Sequence, residues 1–327
     1  MLPSTVSTMH TRLRRGIALA VVPVALVVAG CSSAPATTAP AAADAYTVAG
    51  TALDAPLDRL KVQVGVTTTG ENAVTIPPEA IEVVVDTKAG KGSLHLALPV
   101  AALGDQAASL GALGVTGDKL ELDAIFDGQG LYVKSPIASK VLPLLMLQSG
   151  QMPAGDLSGW LKLGTAQEFE GLLGGLGAMP SGSAGPVDEL KNLDPAQLKQ
   201  KLEDAGVVVT YVGPEQRNGV DAEHLTLTVD PAKLAASDIA KQLPADQLGQ
   251  IAGAAGASTL SADVWLDKAT GRPAEIDIHA AEGSDKTDIT ILVSDPGDVA
   301  LAAPAPFTEV PIGPLVQSLM QMVGSQP

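Results

Sequence analysis

Apolar residues fall at every second position over much of the chain. Val62, Val64 and Val66 alternate with Lys61, Gln63 and Gly65. Ile81, Val83 and Val85 alternate with Glu82, Val84 and Asp86; Leu94, Leu96 and Leu98 alternate with His95 and Ala97. The pattern returns over Leu120–Phe126, Val207–Tyr211, Leu225–Val229, Leu260–Leu266, Ile276–Ile278 and Ile289–Val293. A period of two gives each strand one apolar face. A chain that repeats it this often must build a large sheet and cover one side of it.

The connections favour antiparallel neighbours. Asn72 and Pro77-Pro78 separate the first two strands, and Ala89-Gly90 marks the next turn. Asp127-Gly128-Gln129-Gly130 leads into Leu131–Lys134 as a tight hairpin, and Asn218-Gly219 does the same further on. Helical signals cluster in the middle. Pro99–Val115 reads as a loose crossover. Ser135-Pro136 starts a helix that Pro143 breaks or kinks. A short strand at Trp160–Leu163 precedes a capping box at Thr165–Glu168. Asp194-Pro195 caps a helix to Asp204 with Leu198 and Leu202 inward, and Asp230-Pro231 caps another. Residues 300–314 are Pro-rich and extended. The expectation is roughly nine to eleven strands, segregated from the helices: an α+β fold on an antiparallel sheet.

The N-terminus sets where this sheet resides. Arg12, Arg14 and Arg15 precede an uncharged apolar run from Gly16 to Gly30, then Val28-Ala29-Gly30-Cys31. This is a secretory leader ending in a lipobox. The run falls short of the roughly 18–20 residues of a spanning helix. A plain secretory signal with a chance Cys is the bland alternative. Cys31 is the only cysteine, and its thiolate is the nucleophile that takes a diacylglyceryl group. Acylation of the freed amine, as with palmitate, adds a further chain. Residues 1–30 are thus read as a signal peptide and 31–45 as a lipidated Cys and small, Pro-containing tether. The tether also suits an O-glycosylated stalk. Residues 46–310 are read as one domain and 311–327 as a tail or weak helix.

Without the leader's three Arg, the chain holds 17 basic against 36 acidic residues, a balance of −19. So acidic a chain is a poor partner for nucleic acid or anionic headgroups. Aromatic residues make up 2% of the sequence, so aliphatic side chains must fill the core, or part of it is filled by something else.

Motifs for catalysis are missing: no GxSxG, HExxH, P-loop or GxGxxG stands after a strand. His95, His224 and His279 lie in different strands, opposite the main apolar rows, and read as solvent-facing; their spacing implies no metal and no cofactor. The apolar segments Leu142–Leu147 and Leu172–Met179 are interrupted by Pro and Gly and contain Met146 and Met179. Buried core helices are one reading. The other is the wall of a cavity for a long apolar ligand, lined by Leu142, Leu145, Met146, Leu172, Leu173 and Leu176 with sheet residues Val83, Val85, Leu122 and Leu227.

Several stretches carry a family resemblance. They are Gly130–Pro136, Gly159–Leu163, Val264–Asp267 with Thr270–Pro273 before Glu275–His279, and Asp288–Asp295 running toward Pro304. Together with the lipobox and tether they resemble the LppX/LprAFG envelope lipoproteins of mycobacteria and related actinobacteria. Those are similar in fold to LolA/LolB-type lipoprotein carriers. The resemblance implies a curved antiparallel β half-barrel with helices packed on its concave face. It implies a carrier of an acylated lipid or glycolipid, not an enzyme, anchored to the outer face of the cell membrane and partnered by an envelope transporter. This chain is longer than the family's usual mature domain, with residues 99–118 and 137–156 as enlarged helical segments. Two rivals remain on the sequence alone: a structural or regulatory lipoprotein that binds a protein through its acidic surface, and a hydrolase with an unrecognised site.

Overall fold

The computed structural model describes residues 44–70, 73–104, 111, 117–148, 157–165, 190–238, 259–282 and 284–310. About half of them are strand. In chain order the elements are α1 (Ala45–Asp54), β1 (Arg59–Thr68), β2 (Val74–Ile76), β3 (Ile81–Asp86), β4 (Lys91–Pro99), β5 (Lys119–Phe126) and β6 (Gly130–Lys134). There follow α2 (Pro136–Gln148), β7 (Trp160–Thr165), α3 (Pro195–Asp204), β8 (Val207–Arg217), β9 (Val220–Val229) and α4 (Pro231–Ala236). The last four are β10 (Thr259–Asp267), β11 (Pro273–Glu282), β12 (Asp285–Ser294) and β13 (Phe307–Glu309). The thirteen strands belong to one open sheet.

Chain contacts divide the protein into two units, and β1 runs from one into the other. Unit one gathers the described parts of Met1–Asp58, Val64–Thr75 and Ser183–Ser294. Its strands follow the order β1-β12-β11-β10-β9-β8, with β2 paired to β1. Its apolar rows register across the sheet: Val209 faces Leu227, Leu227 faces Ala262, Ala262 faces Ile278 and Ile278 faces Ile289. This face is largely buried, with Leu227 half-buried. Leu225, Val264, Ile276, Ile278, Ile289 and Ile291 are all buried, none more than 3% exposed. Helices α1 and α3 pack on each other and on β8. Asp194 caps α3 reciprocally with Gln197, as its Asp-Pro start predicts. Asn218 and Gly219 both take positive φ, as a two-residue hairpin turn requires.

Unit two gathers the described parts of Arg59–Gln63, Ile76–Gly182 and Asp295–Pro327. Its order is β13-β7-β6-β5-β4-β3-β1, antiparallel except for the β13–β7 pair. Helix α2 runs through Pro143 without ending there.

Three elements differ from the sequence reading. Helix α1 starts inside what reads as tether, because an uncharged Ala/Thr/Val segment carries no helix signal of its own. Tyr46, Val48, Ala52 and Leu53 are buried, so packing forms this helix. Strands β2 and β13 have three residues each and exist through pairing alone. The capping box at 165–168 and the segment Leu172–Met179 lie outside the described residues, apart from Thr165, which ends β7. Among the described residues, no helix is long and apolar enough to cross a membrane.

Candidate functional site

The apolar face of unit two differs from that of unit one. Directly opposed residues in a sheet share a face. Val62 faces Val83, Val83 faces Leu94, Leu94 faces Ala124, Ala124 faces Val133, and Val133 faces Leu161. Beside this row Ile81 faces Leu96, which faces Leu122. Val85 and Phe126 extend the face at one end, Leu98 and Leu120 at the other. Ile81, Val83, Val85, Leu94, Leu96, Leu98, Leu120, Leu122 and Phe126 are all only half-buried. A contiguous aliphatic surface is therefore incompletely covered, where most of the corresponding row of unit one is buried.

Helix α2 seats on the β7 end of this face. Met146, Leu157, Leu161 and Val310 form a buried cluster, with Ala138, Leu142 and Leu163 packed against it. The helix start is pinned to the sheet: Ser135 Oγ donates to the Glu121 carbonyl at 3.1 Å and accepts the Ile137 N–H at 3.2 Å. The Val310 N–H donates to the Lys162 carbonyl at 2.9 Å, holding the chain after β13 beside the same cluster.

Among the sequence-predicted lining residues, Val83, Val85 and Leu122 lie on this face by register. Leu142 and Met146 join the cluster at its β7 end, and Leu145 lies in the same helix. Leu227 is elsewhere, on the apolar face of unit one. Leu172, Leu173, Leu176 and Cys31 lie outside the described residues.

Sequence reasoning missed a polar network on the other face of unit one. His224 is not solvent-facing: its side chain is 14% exposed and its ring stacks on Trp265 at 4.5 Å. The Arg217 guanidinium lies 4.4 Å from the same indole. It donates to Glu275 at 2.6 and 2.8 Å and to Asp277 at 3.3 Å. The indole N–H of Trp265 donates to Glu215. Burial alone would raise Asp263, but hydrogen bonds from His224 and Thr226 and the imidazole charges outweigh it, so its carboxyl lies below the ordinary value. The alternation placed these residues on one face; only the strand register brings them into contact. His95 is exposed as expected and His279 is half-buried, each beside an Asp. Among the described residues, no group of His, Cys, Asp and Glu is arranged to hold a metal ion.

No protein-family model and no curated protein sequence matches the chain. The fold is similar to solved structures. The lipoprotein LppX of Mycobacterium tuberculosis is 16% identical, with a TM-score of 0.36 over 79% of this chain and 98% of that one. LprF of Mycobacterium bovis is 15% identical, with a TM-score of 0.35 over 80% and 97%. The MucA/MucB complex of Pseudomonas aeruginosa gives 13% and 0.28 over 80% and 62%. At these identities and scores the likeness carries no argument about ligand or activity. The solved structures that this chain is similar to thus include the mycobacterial lipoproteins that its turns and strand edges resemble.

Proposed function

We propose that this chain is an envelope lipoprotein, tethered through Cys31 to the outer face of the cell membrane, that binds an acylated lipid or glycolipid and carries it across the envelope. The observation that carries this reading is the half-buried aliphatic face of β3, β4 and β5, with α2 seated at its β7 end. Covering an aliphatic side chain contributes about 1.5–3 kcal/mol when burial is complete, and each methylene of an acyl chain about 0.8 kcal/mol. A lipid tail laid on this face gains from both. In this reading 46–310 act as one half-barrel domain, Leu172, Leu173 and Leu176 join the lining, and no residue performs a chemical step. An envelope transporter receives the lipid.

Native mass spectrometry on protein expressed from Asp44 onward, with an organic extract of the same sample, tests it. An added mass that extracts as an acylated lipid is expected. A bare polypeptide mass, unchanged after incubation with envelope lipids, overturns the reading and favours a protein partner at the acidic surface. The anchor is tested separately: the intact chain expressed with an alkyne-tagged palmitate takes up label, and Cys31→Ala does not.

A further inference from the structure

Unit one presents one titratable side chain from each of five neighbouring strands, away from its apolar core. They are Glu215 of β8, His224 of β9, Asp263 of β10, His279 of β11 and Asp288 of β12. His224 Nδ1 lies 3.4 Å from Glu215 Oε1, and its Nε2 lies 2.9 Å from Asp263 Oδ1. His279 Nε2 lies 3.4 Å from Asp263 Oδ2, and its Nδ1 lies 2.7 Å from Asp288 Oδ1. Carboxylate and imidazole alternate across the sheet, and every ring nitrogen meets a carboxylate oxygen.

Counting donors shows what the row demands. An ionised carboxylate only accepts, and a neutral imidazole has one N–H. Two neutral rings supply two donors for four approaches, leaving two ring lone pairs against anionic oxygens. Two imidazolium ions supply all four.

The surroundings of His279 favour its charged form. His224 faces Glu215 and Arg217 of β8 and Asp263 and Trp265 of β10, but the Arg217 charge is engaged by Glu275 and Asp277. His279 faces Asp263 of β10, Asp277 of its own strand and Asp288 of β12, with Lys286 two residues along β12. Burial alone would lower the His279 imidazole; its hydrogen bond to Asp288 and the charges of Asp288, Asp263 and Asp277 outweigh that and raise it.

We propose that this row is a proton-operated clamp: protonating His279 ties β10, β11 and β12 together, so unit one tightens as pH falls toward about 6.5. The sign follows from linkage. An imidazole that holds its proton more firmly folded than unfolded contributes stability fully present below its unfolded pKa of about 6.5. That contribution is lost as pH rises through the folded value. The clamp is independent of lipid binding by unit two.

The test is hydrogen exchange on the full chain at several pH values, corrected for intrinsic rates and read in peptides from β9–β12. Each proton held only in the folded state changes the opening constant up to tenfold per pH unit. Opening in wild type is expected to become easier from pH 6 to pH 8, by no more than about tenfold per pH unit. Asp263→Asn, which removes the shared charge and turns one acceptor oxygen into a donor at constant size, should at least halve that dependence, and His279→Gln should do the same. His95→Gln, in unit two, should keep it. A flat wild-type profile overturns the clamp, and so does a wild-type slope that survives in both unit-one variants. Should those variants fail to fold, the wild-type His279 ring resonance decides. A titration midpoint above about 6.5 supports the clamp, and one at or below that value overturns it.

Discussion

The phenolic oxygen of Tyr46 accepts the backbone N–H of Val209 at 3.2 Å. Its own proton goes to Glu203 Oε1 of α3 at 3.2 Å. Strand β8 ends the sheet of unit one, so the outward N–H of Val209 has no strand to meet. An open edge invites pairing with another chain. One side chain from α1 closes this edge at Val209 and links α1 to α3.

Tyr46→Phe should therefore leave a buried N–H without an acceptor while keeping the ring packed. The expected cost is about 1–3 kcal/mol. Equilibrium urea unfolding measures it, and exchange of the Val209 amide locates it. Unchanged protection at Val209 would show that the edge is guarded by something else.

Where signals were local, the sequence was readable. Asp194 with Gln197, and Ser135 with Pro136, announce helix starts within four residues, and both helices begin there. Alternation gave each of β3 and β5 an apolar row, and the register puts Val83, Val85 and Leu122 on one face. What failed was non-local. Strand β13 pairs with β7, about 150 residues earlier in the chain, and no local pattern encodes that partner. Leu227 has the same alternation as Leu122, yet the two belong to different units. The stacking of His224 on Trp265 depends on the β9–β10 register, where those two residues are directly opposed.

Arg217 joins three features: the Glu275 carboxylate, Asp277 and the Trp265 ring. Glu275 is buried, its side chain 5% exposed, and Asn218 Nδ2 also donates to it, so removing Arg217 leaves its charge with only a neutral donor. The guanidinium itself is 40% exposed, and water screens part of the interaction. Arg217→Ala should cost about 2 kcal/mol, below the usual range for a fully buried pair. It should also change the near-ultraviolet circular dichroism of Trp265. Arg217→Lys should recover charge but not the two-pronged geometry, and about half the loss should remain. A Lys variant with wild-type stability would reduce the fork to a simple point charge.

The tyrosines predict an unusual alkaline titration. Tyr211 donates to Glu223 at 2.5 Å; that bond, then burial, pushes its pKa to about 12. Burial first, then neighbouring carboxylates, also raises Tyr46 and Tyr132. These are the chain's three tyrosines, so absorbance near 295 nm at pH 10 should reach less than half of its full alkaline rise. A tyrosine whose folded pKa is raised adds stability that is full below its unfolded value of about 10 and is lost as pH climbs through the folded value. Glu223→Gln should bring one of the three steps down toward pH 10. A wild-type step of full amplitude at pH 10 would contradict the buried hydrogen bonds.

The two kinds of apolar residue in unit two should separate stability from ligand. Leu161 is fully buried beneath α2, and Met146 packs against it. Leu161→Ala should cost about 2–5 kcal/mol through a cavity that its neighbours cannot refill. Leu96 and Leu122 are opposed on the half-buried part of the same face, where water already reaches. Changing both to Gln forfeits only part of the aliphatic burial, about 1–2 kcal/mol together. It places two amides where an acyl chain would lie, and an amide buried without a partner costs about 1–3 kcal/mol. The double variant should fold, keep the α2 cluster and lose the lipid recovered by organic extraction. Leu161→Ala, at a temperature where it remains folded, should keep it. Lipid retained in the double variant, at wild-type stoichiometry, would move the ligand off this face. A double variant as unstable as Leu161→Ala would instead make β4 and β5 ordinary core.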